Sequence, residues 1–322
     1  MLAASCARRG EVRAAVGVGW AGGMLADADV FIRSADDPLM QIEFHRHFTH
    51  SLAFIPLGGL LAAALLWVLL RRRLGLGSGR VLLYAVLGYA TAGLLDACTS
   101  YGTHLGWPFS GERVAWNIIS IVDPVFTGTL LLLVAVGAWK RRVKLMRCAG
   151  VFVLGYLGVG IVQNVRVESV VRGVADARGH VGAERFVVKP ALGNLILWRG
   201  MYEWEGRIFM DAVRAGMPGS VKVYEGDSVE KVEVKDLGVE EGSRLARDLE
   251  RFAFFSDGWV AWHPEEEGVL GDARYSMVPD EVLPLWGIGV DLDVPGEHVE
   301  WRTFRGASVE KRGKLWEMVL GR

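Results

Sequence analysis

At 322 residues, 51% hydrophobic and formally −1 at neutral pH, the chain is about two domains long. It carries none of the basic excess that draws a protein to nucleic acid, and its three scattered cysteines (Cys6, Cys98, Cys148) do not make a disulfide framework. The balance hides a division: residues 1–163 hold 15 Lys+Arg against 9 Asp+Glu, and residues 164–322 hold 21 against 28. A sparsely charged half followed by a densely charged one is the composition of a membrane domain ahead of a water-soluble one.

In chain order, Arg8, Arg9 and Arg13 come first, with no long apolar core and cleavage site after them, so no signal peptide is read there. Residues 14–26 are uncharged but only 13 long, enough for a short span or a half-buried helix. Asp27 and Asp29 follow as a DxD pair, which on its own is more simply a solvated turn. Next comes His45-Arg46-His47-Phe48-Thr49-His50, three imidazoles in six residues at the mouth of an uncharged stretch, 51–70. Twenty such residues make about 30 Å of helix, the thickness of a bilayer's hydrocarbon core. Residues 81–99 are apolar except for Asp96, residues 117–139 except for Asp123, and residues 148–165 carry no charge.

The cations orient these segments. Arg8, Arg9 and Arg13, then Arg71, Arg72, Arg73 and Arg80, then Lys140, Arg141, Arg142, Lys144 and Arg147 all fall on one face if five segments span, and that face is cytoplasmic by the positive-inside tendency. The opposite face then receives residues 27–50, 97–116 and 164–322. Asp27, Asp29, His45, His50, Asp96 and Asp123 gather at that outer rim, where intramembrane ionisable groups face a bundle interior or a wet cavity. The alternative for Asp96 is a structural contact with a Ser, Thr or Tyr of a neighbouring helix.

Residues 165–178 continue helically as an amphipathic neck. Beyond Gly179 the pattern turns to short β-type runs at 186–188, 195–198, 207–210, 221–224 and 229–234, several separated by Gly or Pro, as in an antiparallel sheet. Residues 242–255 read as a helix, with Leu245, Leu249, Phe252 and Phe255 at helical spacing. Further strands are expected around 258–263, 274–278 and 298–304. Seven of the twelve tryptophans lie beyond Arg178 and are expected mainly in a core. The expected fold is an α-helical integral membrane domain of four or five transmembrane helices (residues 1–165), then a soluble extracytoplasmic α+β domain with a mainly antiparallel sheet (residues 166–322).

Spacing leaves the ligand pair open. His47 and His50, three apart, would share a helix face, whereas His45 and His50, five apart, need a loop between them. The string His45 to Ser51 (HRHFTHS), the run Asp96-x-x-Thr99-x-x-Gly102 with Trp107-Pro108-Phe109 after it, and the later Asp123-Pro124 together resemble the YdjM/YbcI-like family of membrane-bound, metal-dependent hydrolases over about residues 14–130. The resemblance implies that Asp27, Asp29, His45, His50 and Asp96 sit at a metal centre, with Arg46, Thr49, Thr99 and Asp123 in support, and it favours His45 over His47. Ala92 departs from the family's pattern, which has a histidine one turn before the helix aspartate. The family's leading helix, with Thr-His or Thr-Gln near its start, also has no counterpart after Met1. His104 would be a substitute ligand or, more plainly, a solvated loop residue.

The implied function is a metal-dependent hydrolase at the outer face of the cytoplasmic membrane. Mixed N/O ligation suits Zn²⁺ or Mn²⁺, Asp27 or Asp123 could be the general base, and headgroup depth makes a phospholipid or lipid-linked ester the expected substrate. The rival is a non-catalytic membrane protein with a structural or vestigial metal site and a partner-binding soluble domain. No internal repeat supports a transporter.

Overall fold

A computed structural model describes residues 1–322 apart from 217, 218, 305 and 307. The chain divides into two units. The first comprises Met1–Ile32, Phe44–Ile161 and Leu192–Asn194; the second comprises Arg33–Glu43, Val162–Ala191 and Leu195–Arg322.

Helices α1 (Leu2–Ser5), α2 (Val12–Met24), α3 (Met40–Phe44), α4 (Ile55–Leu74), α5 (Ser78–Ala97), α6 (Pro124–Trp139) and α7 (Val143–Ala177) come first. Three stretches, Leu52–Arg73, Ser78–Ala97 and Val143–Ala177, are long and apolar enough to cross a membrane, and Pro124–Trp139 is a shorter apolar helix. The weak uncharged segment 14–26 falls largely on the 13-residue α2. Local chemistry sets the helix ends. Ser51 accepts from the Phe54 N–H (3.2 Å) ahead of α4, and Gly75 closes that helix at φ +60°. Asp123 caps α6, accepting from the Phe126 N–H (2.9 Å), with Pro124 in the first turn.

Small residues let α2 and α5 meet backbone to backbone. A Cβ on Gly88 would fall on the carbonyl oxygen of Gly19, and one on Gly22 would press on that of Ala85. Where lipid tails are as apolar as the side chains, such close approach is what holds helices together. Val18, Val81, Tyr84 and Ala85 are buried around this crossing.

In the second unit the C-terminal part of α7, expected as an amphipathic neck, packs its apolar edge on the sheet. Val167, Val171 and Ala175, four apart, are buried, and Val171 lies where a Cβ on Gly200 would be. Strands β1 (Glu184–Pro190), β2 (Leu197–Trp204), β3 (Arg207–Ala215) and β4 (Val221–Tyr224) pair antiparallel in order, and β5 (Ser228–Glu230) also pairs β3. After α8 (Arg244–Phe255), strands β6 (Val260–Trp262), β7 (Val269–Asp272), β8 (Trp286–Gly289) and β9 (Glu300–Thr303) form a second antiparallel sheet. Trp198, Trp259 and Trp286 are buried, whereas Trp262 and Trp316 are exposed.

Two expectations need correction. Residues 274–278 are not a strand: Asp272 accepts from both the backbone N–H and the guanidinium of Arg274 (3.1, 2.9 and 2.8 Å), which turns the chain directly after β7. A closing helix, α9 (Val309–Leu320), is also present, capped by Ser308 and seated through Met318 against Leu197, Ala212 and Val278. Four of its five charged residues, Glu310, Lys311, Arg312 and Lys314, fall in its first half, so the apolar residues bunch at its end instead of marking a face along its length.

The α2–α5 crossing predicts that Gly88→Val destabilises the first unit by about 1–3 kcal/mol or more, the cost of overpacking. Thermal unfolding in detergent should show the loss, with Gly128→Ala, where no atom lies within 4 Å of the added carbon, leaving the transition unmoved.

Candidate metal centre

One face of α5 builds the site. Tyr89, Gly93 and Asp96 stand at helical spacing, and each meets the 3₁₀ turn Phe48–His50. Tyr89 Oη donates to the Thr49 carbonyl (2.8 Å). Gly93 has no side chain because the His50 carbonyl oxygen sits where its Cβ would be. One turn on, an Asp96 carboxylate oxygen lies 3.1 Å from His50 Nε2. The 3₁₀ segment Ala26–Phe31, continuing from α2, brings Asp27 Oδ1 to 3.2 Å from the same nitrogen.

Asp27, His50 and Asp96 thus offer ligand atoms that all lie within 4.8 Å of one another. Donors bound about 2.0–2.2 Å from one tetrahedral ion stand roughly 3.3–3.6 Å apart, so the set needs little adjustment to share a divalent cation. The His50 ring is fully buried, while the Asp27 side chain is 44% exposed, so the open side of the site faces away from the ring.

Asp29 sets up the ring from behind. Its Oδ2 is 3.1 Å from His50 Nδ1 and accepts from the Thr49 hydroxyl (2.7 Å) and the Arg46 backbone N–H (2.9 Å), and its Oδ1 is 3.0 Å from His45 Nδ1. A carboxylate taking the Nδ1 proton assigns the tautomer that leaves Nε2 free for a metal. Burial alone would raise the Asp29 pKa, but hydrogen bonds from His45, His50 and Thr49 hold it well below the usual carboxylate range. Arg46, at φ +60°, places Nε 3.3 Å from Asp96 Oδ2, donates from Nη1 to Thr99 Oγ1 (2.9 Å) and lies over the Tyr101 ring. Thr99 in turn donates to the Asp96 carbonyl (2.7 Å).

Of the residues singled out by sequence, Asp27, His50 and Asp96 converge directly. Asp29, Thr49, Arg46 and Thr99 surround them, and His45 meets the centre through Asp29. Asp123 is engaged elsewhere, capping α6 and accepting from Tyr156 Oη (2.6 Å). His47 packs at a tilt against His104 (ring centroids 4.4 Å apart, planes at 50°) rather than joining His50. His104 is buried, not solvated, with burial and the charge of Arg113 lowering its pKa to about 4. Ala92 presents a methyl group one turn before Asp96.

Sequence reading missed the Tyr89 brace, whose signal was its position one turn before Gly93. It also missed a second group, Asp37, Asp248 and His298, in the second unit. A cation already neutralises that group. The Arg251 guanidinium bonds Asp37 (3.0 and 2.9 Å), Asp248 (2.9 Å) and Glu43 (2.6 Å), and His298 Nδ1 lies 2.7 Å from Asp248.

The charge state of His50 yields a test. Burial disfavours its cation, but the carboxylates of Asp27, Asp29 and Asp96 outweigh burial and raise its pKa to about 10. Without an ion, this stabilisation is complete below the unfolded value near 6.5 and is lost as pH rises through about 10. An incoming ion must displace that proton. Titrating Zn²⁺ into the chelated protein at pH 7.5 should therefore release about one proton per ion, seen as a calorimetric heat that varies with buffer ionisation enthalpy. His50→Gln should remove that dependence.

No curated protein and no solved structure matches the chain. A family model, YdjM inner membrane protein, matches residues 1–167, which contain every residue of the centre. The chain belongs to the YdjM inner membrane protein family, a metal-dependent hydrolase family.

Proposed function

We propose that the protein is a membrane-bound, metal-dependent hydrolase acting at the outer face of the cytoplasmic membrane on a phospholipid or other lipid-linked ester. The observation that carries this reading is the meeting of Asp27, His50 and Asp96 at the ends of apolar helices, open on the Asp27 side. Three protein donors with a free position are the pattern of a catalytic rather than a closed structural site. A Zn²⁺ or Mn²⁺ ion held there would lower the pKa of water and polarise the bond to be cleaved.

The residues have separable roles. His50, with Asp27 and Asp96, holds the ion; Asp29 and His45 fix the His50 ring from the opposite nitrogen. Asp27, the most exposed carboxylate of the group, is placed to take a proton from the attacking water. Arg46, oriented by Thr99, offers a cation to the negative charge that develops on the substrate. Asp123 is left to structural work by its bonds to Phe126 and Tyr156. The second reading, a non-catalytic protein, is favoured by Ala92, which supplies no ligand where the family has a histidine.

Metal analysis of the purified full-length protein separates the two. The expected outcome is about one ion per chain, lost in His50→Ala and held more weakly in Asp27→Asn, which removes a donor and the proton acceptor together and should reduce hydrolysis of ester- or phosphodiester-linked lipids about 100-fold or more. No ion in the wild type removes the enzyme reading; an ion with no turnover on either lipid class favours the vestigial one.

Sidedness has its own test. In a variant without native cysteines, Glu112→Cys should react with an impermeant maleimide on intact cells, and Gly77→Cys only after lysis. Both positions are exposed, so the reverse pattern would invert the orientation.

A further inference from the structure

A cavity of about 570 Å³ in the first unit opens on the metal centre, with Asp27 and Asp96 among its walls. The start of α1 (positions 1–3) closes one side, and three longer helices line the rest at helical spacing: positions 16, 19, 20, 23, 24 and 27 of α2 and the turn after it, 87, 88, 91, 92, 95 and 96 of α5, and 127, 130, 131 and 134 of α6. Apart from the two carboxylates, Thr91, Thr127 and Met1, the walls are apolar. Thr91 turns its hydroxyl back onto the Gly88 carbonyl (2.8 Å) and so shows the space its methyl group. From Asp96 to Leu87 the cavity follows nine residues of α5, about 13 Å at 1.5 Å per residue. That is close to half of a hydrocarbon core about 30 Å thick.

We infer that this cavity is a slot for one hydrocarbon chain of a membrane lipid, whose polar linkage is thereby presented to Asp27 and Asp96. Length, polarity gradient and position agree on that occupant. A slot with two carboxylates at one end and mainly apolar groups along its length matches a molecule with one polar end and an apolar tail as long as one leaflet. A polar metabolite would leave most of the wall dry, and burying apolar wall against a tail is the main available gain. Ala92 has a specific part. It sits one turn from Asp96, at the polar end of the slot, where a larger side chain would stand between tail and carboxylate. The absence of a histidine there, read in sequence as a lost ligand, leaves the passage open. The inference rests on the proposed hydrolase reading only for the choice of which end of the lipid reacts.

The test is photolabelling of the full-length protein in nanodiscs by a phosphatidylcholine with a diazirine midway along one acyl chain, followed by peptide mapping. Label concentrated on the stretches containing Leu87, Leu130 and Val134, above that on the exposed Leu61 and Val68, is the expected result. Ala92→Trp should lose the slot label while keeping its label at Leu61 and Val68 and its metal content. Should Ala92→Trp not fold, Val134→Trp, which blocks the other end, replaces it, and the wild-type map needs no variant. Even labelling of slot and exposed positions, or slot labelling that survives both substitutions in folded protein, overturns the inference. The two readings also fail separately. Slot label on a protein that binds no metal removes the hydrolase and keeps the slot, whereas bound metal without slot label does the reverse.

Discussion

The contact between Asp29 and His50 governs the rest of the centre. A histidine can serve an ion with one nitrogen only if the other is held, and here a nearly inaccessible carboxylate holds it. That carboxylate is itself saturated by Thr49, the Arg46 amide and His45, so it has no freedom to compete for the ion. The DxD pair therefore divides its labour. Asp27 faces the exposed side of the centre, and Asp29, two residues on, faces the protein.

Backbone packing makes this division possible. The turn carrying His50 lies directly on α5, which requires Gly93, and Tyr89 one turn earlier fixes its height by bonding the Thr49 carbonyl. The α2–α5 crossing, with glycine against glycine, brings Asp27 within reach of Asp96. Small residues in these helices thus do more than fill a bilayer: they set the distances between donors that come from three separate stretches of chain.

Much of this was legible in sequence because it is carried by type and order. Apolar length marked the helices, the family motifs singled out Asp27, His50 and Asp96, which the fold brings together, and alternating runs separated by Gly and Pro marked an antiparallel half. The allocation of Asp29 to the ring and Asp27 to the open side was not legible, since a DxD pair reads the same whichever carboxylate turns inward. Asp123 misled for a related reason: an aspartate before Pro at a helix start is a cap as readily as a base, and only the Tyr156 contact decides. The helix α9 escaped because its first half is charged and its apolar residues crowd into the last six positions, and the expected strand at 274–278 gave way to a side-chain bond to Asp272 that no pattern of hydrophobicity records.

Residues Arg33–Glu43 lie in the chain between Asp29 and His45, yet they fold with the second unit, where Arg251 grips Asp37 and Glu43. The tether joining the two halves of the ligand set is thus anchored on a helix more than two hundred residues downstream. One segment of the stretch that matches the family model therefore takes its ionic partner from outside that stretch. Cutting the chain after residue 167 would leave an eleven-residue strap without its anchor, and the spacing of the donors on either side would answer to a looser polymer.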